Sequence, residues 1–295
     1  MTALIATTGL TKRYGGARGI HDVDLTVAEG EIFGFLGPNG AGKTTTIRLL
    51  LGLLRPTAGR ATIAGHDCWT DSTAAKRLIG YLPGEFVCDP ALTGAQLLTY
   101  LGNLRGGVDA AYREQLIARL ELDPTRRFRD YSRGNKQKVG LIQAFMGRPR
   151  LLILDEPTGG LDPLNQQTFN EIVTEAHRDG ATVFLSSHIL PEVERVCERV
   201  AIIRDGRPIA VERVAALTGR RQQALTITFP APVAPATFAA LPGVTATATA
   251  DGRTLQVSVA DDLGPVLRLA AEHGAVALTS HEPNLEEVFL RLYEG

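Results

Sequence analysis

Cysteine is scarce in this chain. Cys68, Cys88 and Cys197 are odd in number, lie far apart and form no Cys-x-x-Cys pair, which argues against a disulfide framework and a zinc site and predicts reduced, buried thiols. Net charge is almost absent as well: 31 basic residues against 32 acidic ones leave −1. No run of Lys or Arg forms a tail, so nothing in the charge calls for contact with bare DNA or RNA. No stretch approaches the roughly eighteen apolar residues of a membrane span. The opening Met1-Thr2-Ala3-Leu4-Ile5 has no charged region before an apolar core, so a cytoplasmic protein is expected. The chain has 295 residues, enough for one large or two smaller domains, and two are expected.

The stretch with the clearest chemistry is Gly37-Pro38-Asn39-Gly40-Ala41-Gly42-Lys43-Thr44-Thr45. It fits the phosphate-loop pattern of a glycine, four free positions, then Gly-Lys-Ser/Thr. A buried strand at 32–36 leads into it and an apolar helix at 44–53 leaves it, which is the context the motif requires. Glycines at 37, 40 and 42 let the backbone turn its N–H groups around an anion, and the helix start adds partial positive charge. The motif assigns Lys43 to the β- and γ-phosphates of a nucleotide and the Thr44 hydroxyl to Mg²⁺.

Around this loop the pattern is that of an α/β fold. Strands are expected at 3–8 and 23–27, the second alternating Val23, Leu25 and Val27 against polar neighbours, as an antiparallel edge before a mostly parallel core. Tyr14, in a loop from Thr11 to Gly16, either stacks its ring on a purine or packs beside a turn. Next come a short strand at 61–64, a helix capped by Ser72 and a strand at 79–82 ending at Pro83-Gly84. Residues 88–145 then read as a helical insert, with Leu97, Leu98, Leu101 and Leu104, and next Tyr112, Leu116, Ile117 and Leu120, at helical spacing. Such a layer serves either as a partner surface or as packing alone.

The apolar run at 151–154 ends in Asp155-Glu156-Pro157, placing two carboxylates at the carboxyl end of a buried strand, where open α/β sheets bind ligands. A helix bearing Phe169, Ile172, Val173 and Ala176 comes after it, then a strand at 182–185 ending in Ser186-Ser187-His188. A hairpin turning at Asp205-Gly206 closes the first domain near Thr218. After Arg220-Arg221 the composition shifts to Ala, Thr, Val and Pro. Strands at 225–229, 244–249, 254–259 and 275–279 with helices at 235–241 and 263–273 give a βαββαβ order, which resembles a ferredoxin-like α+β domain over 222–295. A last amphipathic segment, 284–292, puts Leu285, Val288, Phe289 and Leu292 on one face.

With the phosphate loop, Ser132-Arg133-Gly134-Asn135-Lys136-Gln137, Leu151 to Pro157, Gly160-Leu161-Asp162 and His188 in that order, the chain resembles ATP-binding-cassette ATPases. The resemblance covers 4–218 and implies a P-loop NTPase core. Its C-terminal part further resembles ATPase subunits of bacterial drug- and antibiotic-type exporters. By resemblance, Tyr14 stacks on adenine, and Pro38, Asn39, Ala41 and Thr45 join Gly37, Gly40, Gly42, Lys43 and Thr44 around the phosphates of ATP. Asp155 holds Mg²⁺ with Thr44, Glu156 is the general base for the attacking water, and His188 contacts the γ-phosphate. Ser132 and Gly134 meet the ATP held by a second copy, and Asp162 communicates across that dimer.

Departures from the pattern are Arg133 for a glycine, Asn135 for a glutamine, and Gly84 for a glutamine after the 79–82 strand. Arg133 either approaches phosphate or points into solvent. Gly84 has no side-chain oxygen for Mg²⁺, so Glu85 or water has to substitute. The resemblance implies an ATPase that energises a separately encoded membrane permease, an exporter of a hydrophobic drug, antibiotic or lipid-like compound. It would sit on the cytoplasmic face of the membrane, touching the permease through the cleft between the core and the 88–145 helices, with no direct nucleic-acid partner. The alternative, a soluble ATP-driven switch on ribosomes or DNA, fits less well with one phosphate loop, no long heptads and no basic tail. A P-loop kinase leaves 132–137 and His188 without a role.

Overall fold

The computed structural model describes residues 2–15, 19–218, 223–249, 251–260 and 262–281. The chain separates into two compact units, Met1–Glu212 and Arg213–Gly295. The amphipathic segment expected at 284–292 lies outside the described residues.

The first unit begins with β1 (Ala3–Arg13) and β2 (Gly19–Ala28), then β3 (Ile32–Leu36), α1 (Lys43–Leu50), β4 (Ala58–Ile63), β5 (His66–Asp67), α2 (Ser72–Arg77) and β6 (Ile79–Leu82). Next come α3 (Gly94–Leu104), α4 (Ala110–Arg119), a 3₁₀ turn (Phe128–Asp130) and α5 (Arg133–Phe145), which make up the helical insert. The unit ends with β7 (Leu151–Asp155), α6 (Pro163–Arg178), β8 (Thr182–Ser187), α7 (Leu190–Val196), β9 (Arg199–Arg204) and β10 (Arg207–Arg213).

Two sheets result. The six-stranded one has the order β10-β9-β3-β8-β7-β6, and β3 pairs in parallel with β8 and β9, as β7 does with β6 and β8. Every residue of β3, β7 and β8 is buried, as expected of parallel strands covered on both faces. The antiparallel strands do not form an edge of this sheet. They make a separate four-stranded sheet, β2-β1-β4-β5. The reason is visible in β2, whose buried and exposed residues alternate, giving one apolar face that packs inward and one left to solvent. That inner face joins a buried cluster running from Leu10, Ile20 and Val23 through Ile47 and Leu50 of α1 to Phe33, Phe35, Ile153 and Phe184. The phosphate-loop helix is thus gripped by apolar groups of both sheets.

Several boundaries differ from the expected ones. β1 extends to Arg13 and includes Thr11 and Lys12, because its irregular pairing with β2, shifted near Thr7 and Leu10, is set by the partner strand and not by local pattern. Asp71, not Ser72, stands at the N-cap of α2, with no side-chain cap bond, since its carboxylate is turned to His66 Nδ1 at 2.6 Å. In the insert, α3 carries a reciprocal capping box of Thr93 and Gln96, and Asp109 caps α4 through the N–H groups of Ala111 and Tyr112. Leu97 and Leu98 are buried, but Leu104 is 67% exposed. Cys68 and Cys197 are buried, Cys88 only half-buried, and burial pushes the Cys68 thiol up to about 12. Among the described residues no helix is long and apolar enough to cross a membrane.

The second unit holds α8 (Val214–Thr218), β11 (Gln223–Thr228), α9 (Pro235–Ala239), β12 (Val244–Ala248), β13 (Thr254–Val259), α10 (Gly264–Glu272) and β14 (Ala277–His281). Its strands pair antiparallel in the order β12-β13-β11-β14. Leu225, Ile227, Leu255 and Val257 form its core with Phe238 and Val266.

Phe184 is fully buried, 5.9 Å from the ring of Phe33 and 5.4 Å from that of Phe35. Phe184→Ala leaves a void between β3 and β8, and the expected cost is about 3–5 kcal/mol. A lower urea midpoint for the first unit, with an unchanged slope, checks this.

Candidate functional site

Parallel pairing fixes where the functional loops meet. The carboxyl ends of β3, β7 and β8 lie side by side, with Leu36 opposite Ser187 and Asp155 opposite Ser186. The loops are tied there: Gly37 N–H donates to Ser187 O at 3.3 Å, and Glu156 N–H to Ser186 O at 2.9 Å. All the residues discussed below belong to the first unit.

The phosphate loop is shaped by close approaches. Gly37 is needed less for its backbone angles than for space, since a Cβ there would lie 2.5 Å from Ile203 O. Gly42, the N-cap of α1, is left-handed with φ 112°, and a Cβ there would meet Ile20 Cγ2 at 2.7 Å. Pro38, Asn39 and Gly40 are exposed at the rim, whereas Ala41 is buried. Lys43, only 6% exposed, donates through Nζ to Gly37 O at 2.6 Å and to Pro38 O at 3.3 Å, and faces Glu156 Oε1 at 3.2 Å.

Two carboxylates divide the chemistry. Asp155 is 2% exposed; it accepts from Thr44 Oγ1 at 3.0 Å on Oδ2 and from Ser186 Oγ at 2.6 Å on Oδ1. Its charge, after burial, helps push the Tyr81 hydroxyl up to about 12. Glu156 has a left-handed backbone, φ 50°, an uncommon state for such a residue that marks functional positions. Its Oε2 lies 2.7 Å from His188 Nδ1. Its Oε1 is buried without a hydrogen-bond partner among the described residues.

These groups fit a polyphosphate and a hard divalent cation. Gly37 and Gly42 let the loop backbone close against Ile203 and Ile20, the exposed rim at Pro38 to Gly40 stays open to a ligand, and the buried Lys43 ammonium supplies a counter-charge for phosphate oxygens. Thr44 and Asp155 offer two adjacent oxygens. Among the described residues no three His, Cys, Asp or Glu side chains gather to hold a metal alone. A donor set of two protein oxygens suits Mg²⁺, which takes its remaining ligands from phosphate and water.

The other expected site residues are spread around this centre. Thr45 is half-buried on the first turn of α1. Tyr14 is 51% exposed, with Lys12 Nζ 5.6 Å from its ring centre. His188 is exposed at the end of β8. Ser132 caps α5 and accepts from Asn135 N–H at 3.3 Å. Asp162 caps α6, accepting from Asn165 N–H at 3.0 Å and from Asn165 Nδ2 at 2.6 Å, and these bonds hold its carboxyl below the usual range. A Cβ at Gly134 would lie 2.5 Å from Gly160 O, so the start of α5 abuts the turn before Asp162. Arg133 is exposed, but its Cγ would be 3.2 Å from a Cβ at Gly160 and its Nη2 3.9 Å from one at Gly159. Its chain therefore runs along the Gly159-Gly160 turn. A Cβ at Gly84 would stand 3.6 Å from Asp155 Oδ2, which puts the position expected to carry a glutamine directly beside the Asp155 carboxylate.

Sequence reasoning missed the residues that tie these loops together. Gln137 Nε2 donates to Glu156 O at 3.2 Å and to Pro157 O at 2.9 Å, joining α5 to the carboxylate loop. Ser186 holds Asp155, and Thr158 and Ser187 both bond Glu192. The paired serines at the end of an apolar strand were the one local signal.

Comparison with known proteins agrees with this geometry. Residues 20–159 match the family described as ABC transporter. The chain is 36% identical to the daunorubicin resistance ATP-binding protein DrrA3 of Streptomyces coeruleorubidus, over 98% of this chain and 95% of that protein. It is 31% identical to the bacitracin transport ATP-binding protein BcrA of Enterococcus faecalis, over 100% of this chain and 98% of that one. Among solved structures, an ATP-binding subunit of an ABC transporter is similar at a TM-score of 0.68 and 32% identity, covering 73% of this chain and 92% of that one.

Gly134→Ala tests the contact between α5 and the Gly160 turn. Placing a methyl 2.5 Å from a carbonyl oxygen forces the two apart, at an expected cost of about 1–3 kcal/mol, read as a lower midpoint in chemical denaturation.

Proposed function

This chain belongs to the ABC transporter family of ATP-binding proteins, and on that premise we propose that it hydrolyses ATP to energise export through a separately encoded membrane permease. The observation that carries the reading is the convergence of Lys43, Asp155, Glu156 and His188 on the ends of three adjacent parallel strands. Relatives named for daunorubicin resistance and bacitracin transport support a drug- or antibiotic-type cargo of hydrophobic or lipid-like character.

Within the site, Lys43 neutralises the β- and γ-phosphates, and the loop N–H groups orient them. Thr44 and Asp155 would hold Mg²⁺, which would supply charge withdrawal from the phosphate oxygens. Glu156 accepts the proton of the attacking water, and its bond to His188 Nδ1 fixes the carboxylate's direction. His188, exposed on the same edge, reaches the γ-phosphate. Tyr14 offers its ring to adenine.

A second copy completes each site. Support comes from Ser132, exposed at the helix start of α5, and from Leu164, which is 77% exposed two residues after Asp162. Both are placed for a partner to cover. We assign 1–218 to the nucleotide-binding domain, with 88–145 as its helical subdomain, and 222–295 to an accessory domain. The β12-β13-β11-β14 order supports a ferredoxin-like reading of the latter. The permease contact falls on a cleft of about 810 Å³ lined by Glu85, Phe86, Val87, Arg129, Arg133 and Lys136. Val87, 73% exposed there, supplies an apolar contact for a helix from the membrane partner. In that assembly the chain sits on the cytoplasmic face of the membrane.

Two substitutions test the chemistry. Glu156→Gln is expected to keep ATP binding and to lower steady-state hydrolysis by about 10²-fold or more, with a nucleotide-bound dimer accumulating in size-exclusion chromatography. Unchanged turnover would remove Glu156 as the base. Lys43→Ala is expected to weaken ATP binding by about tenfold or more, since it deletes a charge-assisted contact worth roughly 1.5–3 kcal/mol. Calorimetric titration with ATP checks this, and retained affinity would sink the phosphate-clamp role.

A further inference from the structure

Glu192 is a carboxylate to which none of the roles above extends. It lies on α7, just past His188, half-buried between two loops. Its Oε1 accepts from Thr158 Oγ1, and its Oε2 accepts from Ser187 Oγ at 2.8 Å. Burial pushes its carboxyl above the usual range, against the opposing pull of these two hydroxyls. An ionised carboxylate has only acceptor sites, so both hydroxyls point their single proton at it. Ser187 then has its lone pairs free, and one accepts from Ile189 N–H at 2.9 Å.

Each partner sits next to a residue of the hydrolytic site. Thr158 is 5% exposed and opens the Gly159-Gly160 turn, where Leu161 N–H closes on Thr158 O at 3.0 Å. It stands two residues after Glu156 and four before Asp162. Ser187 is fully buried, directly precedes His188, and accepts Gly37 N–H of the phosphate loop through its carbonyl. The contact from Thr158 to Glu192 spans 34 residues of sequence. One carboxylate therefore pins the loop after β7 to the loop after β8, in addition to the direct Glu156–His188 bond.

We propose that Glu192 is a positioning residue that clamps the Thr158–Asp162 turn to the Ser187–His188 loop, holding Glu156 and His188 in mutual register for hydrolysis. The inference rests on the assignment of Glu156 as base. With the clamp in place, the two loops move as one piece when a partner or nucleotide displaces either. Without it, the two loops keep the ties at their strand ends, Glu156 N–H to Ser186 O and Ser186 Oγ to Asp155, while beyond Glu156 the side chains are joined through an exposed histidine.

Steady-state ATPase kinetics of the full chain test the clamp, using Glu192→Ala, Glu192→Gln, Thr158→Val and Ser187→Ala with the Glu192→Ala/Thr158→Val double variant. Glu192→Ala is expected to lower kcat about tenfold or more while KM for ATP stays within about twofold, because misplacing a reacting group costs rate and not binding. Glu192→Gln keeps one acceptor and gains a donor that either hydroxyl can accept, so most of the rate returns. The double variant is expected to lose little more than Glu192→Ala alone, as partners in one contact are not additive.

A kcat for Glu192→Ala within about twofold of the parent, a rise in KM that accounts for the loss, or losses that multiply in the double variant would each overturn the clamp. If Glu192→Ala does not fold, Thr158→Val and Ser187→Ala carry the same comparison in the Glu192→Gln background. The Glu156→Gln variant separates the two readings. Normal Glu192→Ala turnover with inactive Glu156→Gln discards the clamp alone, whereas active Glu156→Gln discards the base assignment on which it rests.

Discussion

Burying the Lys43 ammonium sets the constraint around which the rest of the site is arranged. An ammonium withdrawn from water has to find its hydrogen bonds and its counter-charge inside the protein. Lys43 has three N–H donors; Gly37 O and Pro38 O accept from it, and the Glu156 carboxylate stands at 3.2 Å. Phosphate oxygens offer the same kind of partner as that carboxylate. The cation thus links whatever fills the phosphate loop to the orientation of Glu156, the proposed base, through a direct contact and without a relay of intervening residues.

Holding Glu156 there has a backbone cost, seen in its positive φ, and the surrounding bonds offset it. Its N–H is taken by Ser186 O, its own carbonyl accepts from Gln137, and its side chain is shared between Lys43 and His188. Strain of roughly 1–3 kcal/mol persists only when the neighbourhood over-determines the position. Here three elements do so: β8 through its main chain, α5 through Gln137, and the phosphate loop through Lys43. The helical insert is therefore anchored to Glu156 itself, so a displacement of α5 bears on that residue through Gln137.

The centre of the site was legible in the sequence because its residues are contiguous. Gly37 to Thr45, Asp155-Glu156 and Ser186-Ser187-His188 each come directly after an apolar run, and parallel buried strands deliver the loops at their carboxyl ends to one edge of the sheet. The parts that were not legible depend on approaches between segments distant in sequence. β1 reaches Arg13 only because β2 and β4 pair with it. Gln137 bonds a carbonyl 19 residues away, and its place at the end of the 132–137 segment gives no sign of that partner. The capping of α2 is the local exception: Asp71 precedes Ser72 at the helix start and turns its carboxylate to His66, only five residues before it. The glycines of the phosphate loop were read for turning freedom, whereas Gly37 is required by the carbonyl of Ile203, a neighbour that only the folded sheet supplies.

The departure at Arg133 is the clearest case of a residue whose meaning lies in its neighbour. In isolation a long cation replacing a glycine at the start of α5 poses a steric problem, since the adjacent Gly134 already touches Gly160 O. The chain resolves it on the opposing side of the contact. Two consecutive glycines, Gly159 and Gly160, present bare backbone, and the Arg133 methylenes lie along them. A Cβ at Gly160 would crowd Arg133 Cγ at 3.2 Å, and Gly160 is left-handed besides, with φ 83°. Arg133 and the glycine pair are therefore one feature, in which the bulk added to the signature segment is accommodated by bulk withheld from the turn. Arg133 thereby packs its methylenes on the same turn that Glu192 bonds through Thr158, so the Thr158–Asp162 turn is contacted from α5 by packing and from α7 by a hydrogen bond. Contacts from two elements on one turn, one of packing and one of hydrogen bonding, leave it fewer ways to move independently of Glu156.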